Sequence, residues 1–181
     1  MAVLSRTARF RGVILIGSLL AALAQAQNAE EYQLKAAFLY NFAKFVEWPS
    51  QTFQSTAAPI VICVLGQNPF GHAIEEAVAG KTVAGRGLIT REVADVKQSS
   101  SCQILFIGVS ERKRWRDILT GIKTGCVLTV GESAEFTASG GIISLKLEDG
   151  KVRFQINVDA AAQEKIHISS KLLSLAQVVK N

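Results

Sequence analysis

Histidine, methionine and cysteine are scarce here: two, one and three residues in a chain of 181. No two of Cys63, Cys102 and Cys126 lie close in sequence, and His72 and His167 are isolated. Metal sites draw on Cys and His at short fixed spacings, so no metal site is expected, and no cofactor motif is present. An odd cysteine count allows at most one intramolecular disulfide and leaves one thiol over, with three pairings open. Catalytic signatures are also missing. There is no G-x-S-x-G elbow, no H-E-x-x-H helix and no spaced Cys–His dyad. "GQNPFG" (66–71) has the glycines of a phosphate loop but no Lys-Ser/Thr after it, and reads as a structural turn with His72 as an exposed cap beside it. Glu75 and Glu76 are neighbours on one helix and diverge, which does not suggest paired acid–base work. The chain is not expected to be an enzyme. Nor does it carry basic clusters interleaved with aromatics, so nucleic acid is not an expected partner.

What is present begins with a leader. Residues 1–26 hold Arg6, Arg9 and Arg11 with no acidic residue, then an apolar run over 13–23, then Ala24-Gln25-Ala26. A basic start, a short apolar middle and a small-x-small exit spell a secretory signal peptide. The apolar run falls short of the roughly 20 residues a membrane span needs. No cysteine follows the small residues, which argues against a lipoprotein. The expected mature protein is 27–181, a single domain large enough for its own core. The whole chain has 20 Lys+Arg against 15 Asp+Glu; three arginines leave with the signal, so the mature balance is 17 against 15, about +2. The compartment implied is the bacterial periplasm, which is oxidising.

Three apolar runs, 59–66, 103–110 and 126–133, each lead through a short loop into a helix-like stretch. Continuous β-rich runs of this kind read as strands buried on both faces of a parallel sheet, and their repetition as βαβ units. A fourth, more exposed strand is expected near Leu88 to Val93. Ser110 is placed as cap of the helix around Trp115, with Gly121 or Gly125 ending it, and Ser133 as cap of the helix containing Phe136. Pro69 sits where a first helical turn would start. From 142 to 158 the sequence alternates on both sides of Asp149-Gly150, the strongest hairpin signal in the chain. That register pairs Ile143, Leu145 and Leu147 with Ile156, Phe154 and Val152 on a buried face. The opposite face carries Ser144, Lys146, Glu148, Lys151, Arg153 and Gln155, turned to water or a partner. Lys146 falls opposite Arg153, an unfavourable like-charge pair. At the end, Ile168, Leu172, Leu175 and Val179 are read as one side of a closing helix. The fold class is therefore α/β: a largely parallel or mixed sheet with flanking helices, an aromatic N-terminal helix, a C-terminal hairpin and the closing helix. Ligands of such folds sit at the carboxyl ends of strands, which singles out the loops 66–71, 108–111 and 131–133.

The N-terminal helix, "EEYQLKAAFLYNFAKFVEWP" (30–49), places Leu34, Phe38, Phe42 and Phe45 on one stripe, interrupted by Gln33, Lys35, Asn41 and Lys44 and stopped at Pro49. Those charges exclude a second membrane span. Most of the stripe is expected to be core. Tyr32, Tyr40 and Trp48 lie on its flanks, more aromatic area than one buried face needs.

This helix resembles the opening of the YfiR family of periplasmic regulators, long catalogued as a domain of unknown function. "SGGIISLKLEDGKVRFQINVDAA" (139–161) and "ISSKLLSLA" (168–176) are similar to that family's glycine pair, hairpin and closing helix. The resemblance implies a non-enzymatic inhibitor of an inner-membrane diguanylate cyclase, bound to the cyclase's periplasmic part and controlling cyclic di-GMP and biofilm formation. It implies redox sensitivity through disulfides, and one family bridge is spaced like Cys63 and Cys102. A second, more C-terminal bridge of the family has no counterpart, since no cysteine follows Cys126; Cys126 itself reads as a small buried hydrophobe. Tyr32, Tyr40 and Trp48, with Lys146 and Arg153 on the polar hairpin face, are the candidate partner-binding residues, and the closing helix is a further candidate surface. A homodimer through the same patches is compatible with the family. The alternative function is a periplasmic sensor of an unidentified small molecule, which is compatible with the first; a hydrolase would need a catalytic set that is absent.

Overall fold

A strand of six consecutive apolar residues, "IVICVL", can be stable only if both of its faces are covered, and the architecture is organised round that need. The structure, a computed structural model, describes residues 7–122 and 125–180, with side-chain surroundings from residue 25 onward. Residues 1–6 of the expected leader lie outside the described residues. Helix α1 (Thr7–Phe45) runs through residues 7–26 into the aromatic segment. Among the described residues no helix is long and apolar enough to cross a membrane.

After α1 come β1 (Val46–Glu47), β2 (Ile60–Leu65), α2 (Ala73–Val78), β3 (Thr82–Val83), β4 (Arg86–Val93) and β5 (Ile104–Ile107). Then follow α3 (Trp115–Gly121), β6 (Leu128–Glu132), α4 (Ala134–Ala138), β7 (Ile143–Glu148) and β8 (Lys151–Asn157). The chain closes with α5 (Val158–Gln163), β9 (His167–Ile168), α6 (Ser170–Leu173) and β10 (Gln177–Val179). Eight strands form one sheet in the order β10-β8-β7-β6-β5-β2-β4-β3. All neighbours are parallel except the β7–β8 and β3–β4 pairs. The chain is thus a single α/β domain with a mixed sheet, as expected from the apolar runs and the hairpin signal. The Asp149-Gly150 turn has both residues at positive φ, 51° and 71°, which suits a two-residue hairpin. Its register matches the expected one, Glu148 opposite Lys151 and Ile143 opposite Ile156.

Alternate residues of the central strands serve two cores. Ile60, Ile62, Val64, Ile104 and Phe106 meet Leu39, Phe42 and Ala43 of α1 on one face. Val61, Cys63, Leu65, Leu105 and Ile107 meet Trp115, Ile118 and Phe136 on the other. Phe136 explains a glycine motif. A Cβ on Gly131 would lie 2.4 Å from its ring and one on Gly141 2.1 Å, so only bare backbone lets the ring settle against the sheet. Trp115 then meets it edge-on at 5.2 Å.

Several local expectations are corrected. On α1 the buried line is Ala36, Leu39, Phe42 and Ala43, while Leu34 is 46% exposed. The alanines let the helix approach the sheet closely, and that turns the stripe by a residue or two. Ser110 does not cap α3; residues Val109–Arg114 form a 3-10 turn, and Ser110 bonds elsewhere. Ser133 holds the N-cap position of α4, but its hydroxyl donates to Glu135 rather than capping the backbone. Pro69 precedes α2 by several residues. The polar hairpin face is only half polar in setting: Ser144 and Gln155 are buried, because α4 lies over them. At the tail, residues 177–179 leave the helical pattern and pair as an edge strand with β8, which gives that strand's open edge a partner. Leu175, placed on the buried side of a closing helix, is 70% exposed, and α6 is only four residues long.

Cys63 of β2 and Cys102, just before β5, form a disulfide with Cα atoms 5.9 Å apart, within the usual range. Cys126 is a buried free thiol. In the chain-entropy view, closing a 39-residue separation stabilises the fold by roughly 3–4 kcal/mol. Replacing Cys63 and Cys102 together by Ser is expected to lower the melting temperature of the oxidised protein by about 10 °C. Calorimetry checks this, and an unchanged melting curve would show that the bond does not hold the sheet.

Candidate functional site

The strand order places β2 between β4 and β5, so the chain reverses direction across the sheet between β2 and β5. In open α/β sheets that reversal opens a crevice where ligands bind. Here the protein fills it. Gln67 N–H donates to Ser110 Oγ at 3.0 Å, and Gly108 N–H to the Leu65 carbonyl at 2.9 Å. A Cβ on Gly66 would strike Ser110 Oγ at 2.6 Å and Glu111 Cγ at 2.8 Å. The 66–71 loop is a turn held by its own side chain, since Asn68 Oδ1 accepts from Phe70 N–H at 2.9 Å. His72 is exposed and its side chain caps nothing. Glu75 accepts from the Thr90 hydroxyl at 3.1 Å.

The third loop, 131–133, behaves differently. Glu132 is the last residue of β6, and its carboxylate is buried at the carboxyl edge of the sheet. Facing it from α1 is Lys35, only 3% exposed, whose ammonium bonds Glu132 Oε1 and also Glu31 Oε1 at 2.5 Å. Two carboxylates therefore share one ammonium, leaving one uncompensated negative charge in a largely dry setting. Glu132 Oε2 is buried and accepts no hydrogen bond among the described residues. The Tyr32 hydroxyl faces the same carboxylate and interacts with it. Burial first, and the Glu132 charge second, push the Tyr32 phenol far above its ordinary value of 10.0. Next to this group Ser133 adopts φ 96°, ψ 150°, backbone that side-chain-bearing residues rarely visit and that concentrates at functional positions. Its carbonyl is pinned by the Ser144 hydroxyl at 2.5 Å and its N–H donates to the Leu145 carbonyl at 3.1 Å.

These residues line an open groove of about 340 Å³, with Val109, Leu145, Lys146 and Leu147 completing its walls. A second hollow of about 190 Å³ continues it along α1 past Glu30, Glu31 and Leu34 to Gly150. Leu34, Val109 and Leu147 stand 46%, 56% and 45% exposed, so the rim is apolar as well as acidic.

Of the residues singled out from the sequence, Tyr32 and Lys146 meet at this groove. Tyr32 also packs edge-on against Phe70 at 5.3 Å. Lys146 pairs with Glu148 at 2.6 Å, which offsets its placement opposite Arg153. Arg153 is exposed on the hairpin and does not line the groove. Tyr40 lies further along α1, half-buried beneath Lys81 at 4.4 Å. Trp48 is half-buried past the end of the helix, its indole N–H without a hydrogen-bond partner among the described residues. The three aromatics thus share a helix and its flank but not a site. Lys35, Glu31 and Glu132 were missed. The Glu31–Lys35 spacing of four is legible in a helix, but nothing local links either to Glu132, 97 positions from Lys35.

A family model described as YfiR/HmsC-like matches residues 32–177. Two solved structures are similar in outline. One is an ABC domain in complex with L-Trp from Streptococcus pneumonia, 13% identical, covering 66% of this chain and 55% of its own, with TM-score 0.49. The other is a conserved domain protein from Vibrio cholerae O1 biovar eltor, 14% identical, covering 67% and 54%, also with TM-score 0.49. The chain spans about half the length of each, and likeness at this level carries no argument about activity.

Tyrosine titration followed by ultraviolet absorbance should show Tyr32 retaining its proton well above pH 10. The unfolded state ionises near 10 while the folded state resists, so stability present below pH 10 declines as pH rises beyond it; Tyr32→Phe should flatten that decline. Removing Lys35 leaves two carboxylates face to face. Lys35→Ala is expected to destabilise by about 3 kcal/mol, the low end for a broken buried pair because Glu31 can turn to water. Urea unfolding measures it.

Proposed function

This chain belongs to the YfiR/HmsC-like family, and from that membership we propose a non-enzymatic inhibitor that works in the periplasm. The family is regulatory, and its members act through a partner protein. The partner we propose is the periplasmic part of an inner-membrane diguanylate cyclase, held inactive while bound. Cyclic di-GMP, and with it biofilm formation, would then rise on release. The single observation that carries this reading is the match over residues 32–177, nearly the whole of the expected mature domain. The groove at the carboxyl edge supports it in kind, since exposed apolar side chains beside buried charge are more typical of a recognition surface than of solvated protein. Redox sensitivity would act through Cys63–Cys102, whose residues are almost wholly buried, so a reductant must first open the sheet.

A small-molecule sensor is the second reading, supported by the volume of the groove, which is within the range of ligand pockets. The two readings are compatible, because a ligand could regulate the inhibitor.

Titration calorimetry with the periplasmic segment of a membrane cyclase encoded beside this gene tests the leading proposal. Saturable binding is the expected result. No binding to any co-encoded membrane partner removes it, and a metabolite that raises the melting temperature in that case would favour the sensor.

A further inference from the structure

We propose that the groove between the start of α1 and the carboxyl ends of β6 and β7 docks a partner segment presenting an arginine or lysine beside an apolar side chain. The inference rests on the regulatory reading above and assigns the surface through which it acts. Charge supplies the first reason. The mature chain is weakly basic, yet the two adjoining hollows carry Glu30, Glu31 and Glu132 against Lys35 and Lys146, and Lys146 is already paired with Glu148. Lys35 is fully engaged by two carboxylates, and Glu132 keeps one oxygen without a hydrogen bond. A buried carboxylate oxygen left unmatched costs free energy. A cation brought into the groove offsets part of that excess negative charge and gives Glu132 a second donor.

Apolar exposure supplies the second reason. Leu34, Val109 and Leu147 border the same two hollows and stand exposed there. Leu147 is the most telling, because it belongs to the buried face of the hairpin by alternation and yet stands open where β7 runs past the sheet. An anionic floor with apolar walls fits a side chain such as arginine, whose stem is greasy and whose head is charged. Backbone supplies the third. Ser133 is held in strained backbone by Ser144 and Leu145, which fixes Glu132 at the groove instead of letting the loop relax.

The test titrates the co-encoded cyclase's periplasmic segment into the exported wild-type protein, Glu132→Gln and Leu147→Ser, with the melting temperature of each recorded. Glu132→Gln is expected to weaken binding at least tenfold, and Leu147→Ser about fivefold. Changing the segment's basic residues singly to Gln should find one whose loss costs the same tenfold, with no further loss when combined with Glu132→Gln. Should Glu132→Gln fail to fold, Glu31→Gln replaces it, since that carboxylate is open enough to leave the core alone, and a threefold loss is expected. Binding by the folded Glu132→Gln, or by Glu31→Gln in its place, within twofold of wild type overturns this surface while leaving the regulatory reading intact. A set of basic positions none of which couples to the groove does the same. A segment that binds neither wild type nor variant removes both.

Discussion

The constraint on which everything else rests is that β2 has no face to spare. Six apolar residues in a row, all buried, require cover above and below, and each cover is built differently. Above lies the long helix α1, brought close by alanines, with Phe70 and with Ile74 and Val78 of α2 in the same core. Below lies a composite of a disulfide, the Trp115 ring and the Phe136 ring let into bare glycine backbone. The helical cover must lie across the sheet, and its N-terminal end therefore arrives at the carboxyl edge, where Lys35 is carried under the sheet's rim. A lysine so placed needs a partner to offset its burial. Glu132 at the end of β6 is that partner, and the groove is the remainder of the arrangement. The site is thus a by-product of covering a strand on both faces.

How much of this was legible follows from how local each signal is. The strands announced themselves because continuous apolar runs bounded by glycine have few other readings, and Asp149-Gly150 fixed the hairpin register to the residue. The tail misled because Ile168, Leu172, Leu175 and Val179 keep helical spacing, while the chain there answers to an open strand edge a helix cannot satisfy. The stripe on α1 was misplaced for a similar reason. Periodicity counts greasy residues, but the depth of a helix in a groove is set by its small ones, Ala36 and Ala43. Lys35 looked like an interruption of the stripe, because burying it makes sense only once a carboxylate from a distant strand is known to meet it.

The family likeness and the physical reading contribute different things. Membership in the YfiR/HmsC-like family supports the regulatory reading proposed above, and says nothing of where a partner would sit. The aromatics on the flank of α1 were attractive from sequence, yet Tyr40 and Trp48 are largely occupied in covering the core. The groove remains open, with three exposed apolar side chains at its border and one Glu132 oxygen unmatched. On the regulatory reading proposed above, a desolvated charge pair there would set how fast a partner is released, since losing one member of such a pair acts mainly on dissociation.

Two of the shortest described strands, β1 and β9, have a long reach. Val46 pairs with Ile168 and Glu47 with His167, and the Ser169 N–H donates to the Phe45 carbonyl at the end of α1. The helix that covers β2 is thereby fastened by residues synthesised more than a hundred positions later. Closure of so long a loop comes late in folding. Until the C-terminal end has emerged, the N-terminal helix has neither its cap nor its clasp. In a chain of this design the first helix is secured only by contacts of long sequence separation, whatever its own propensity to form.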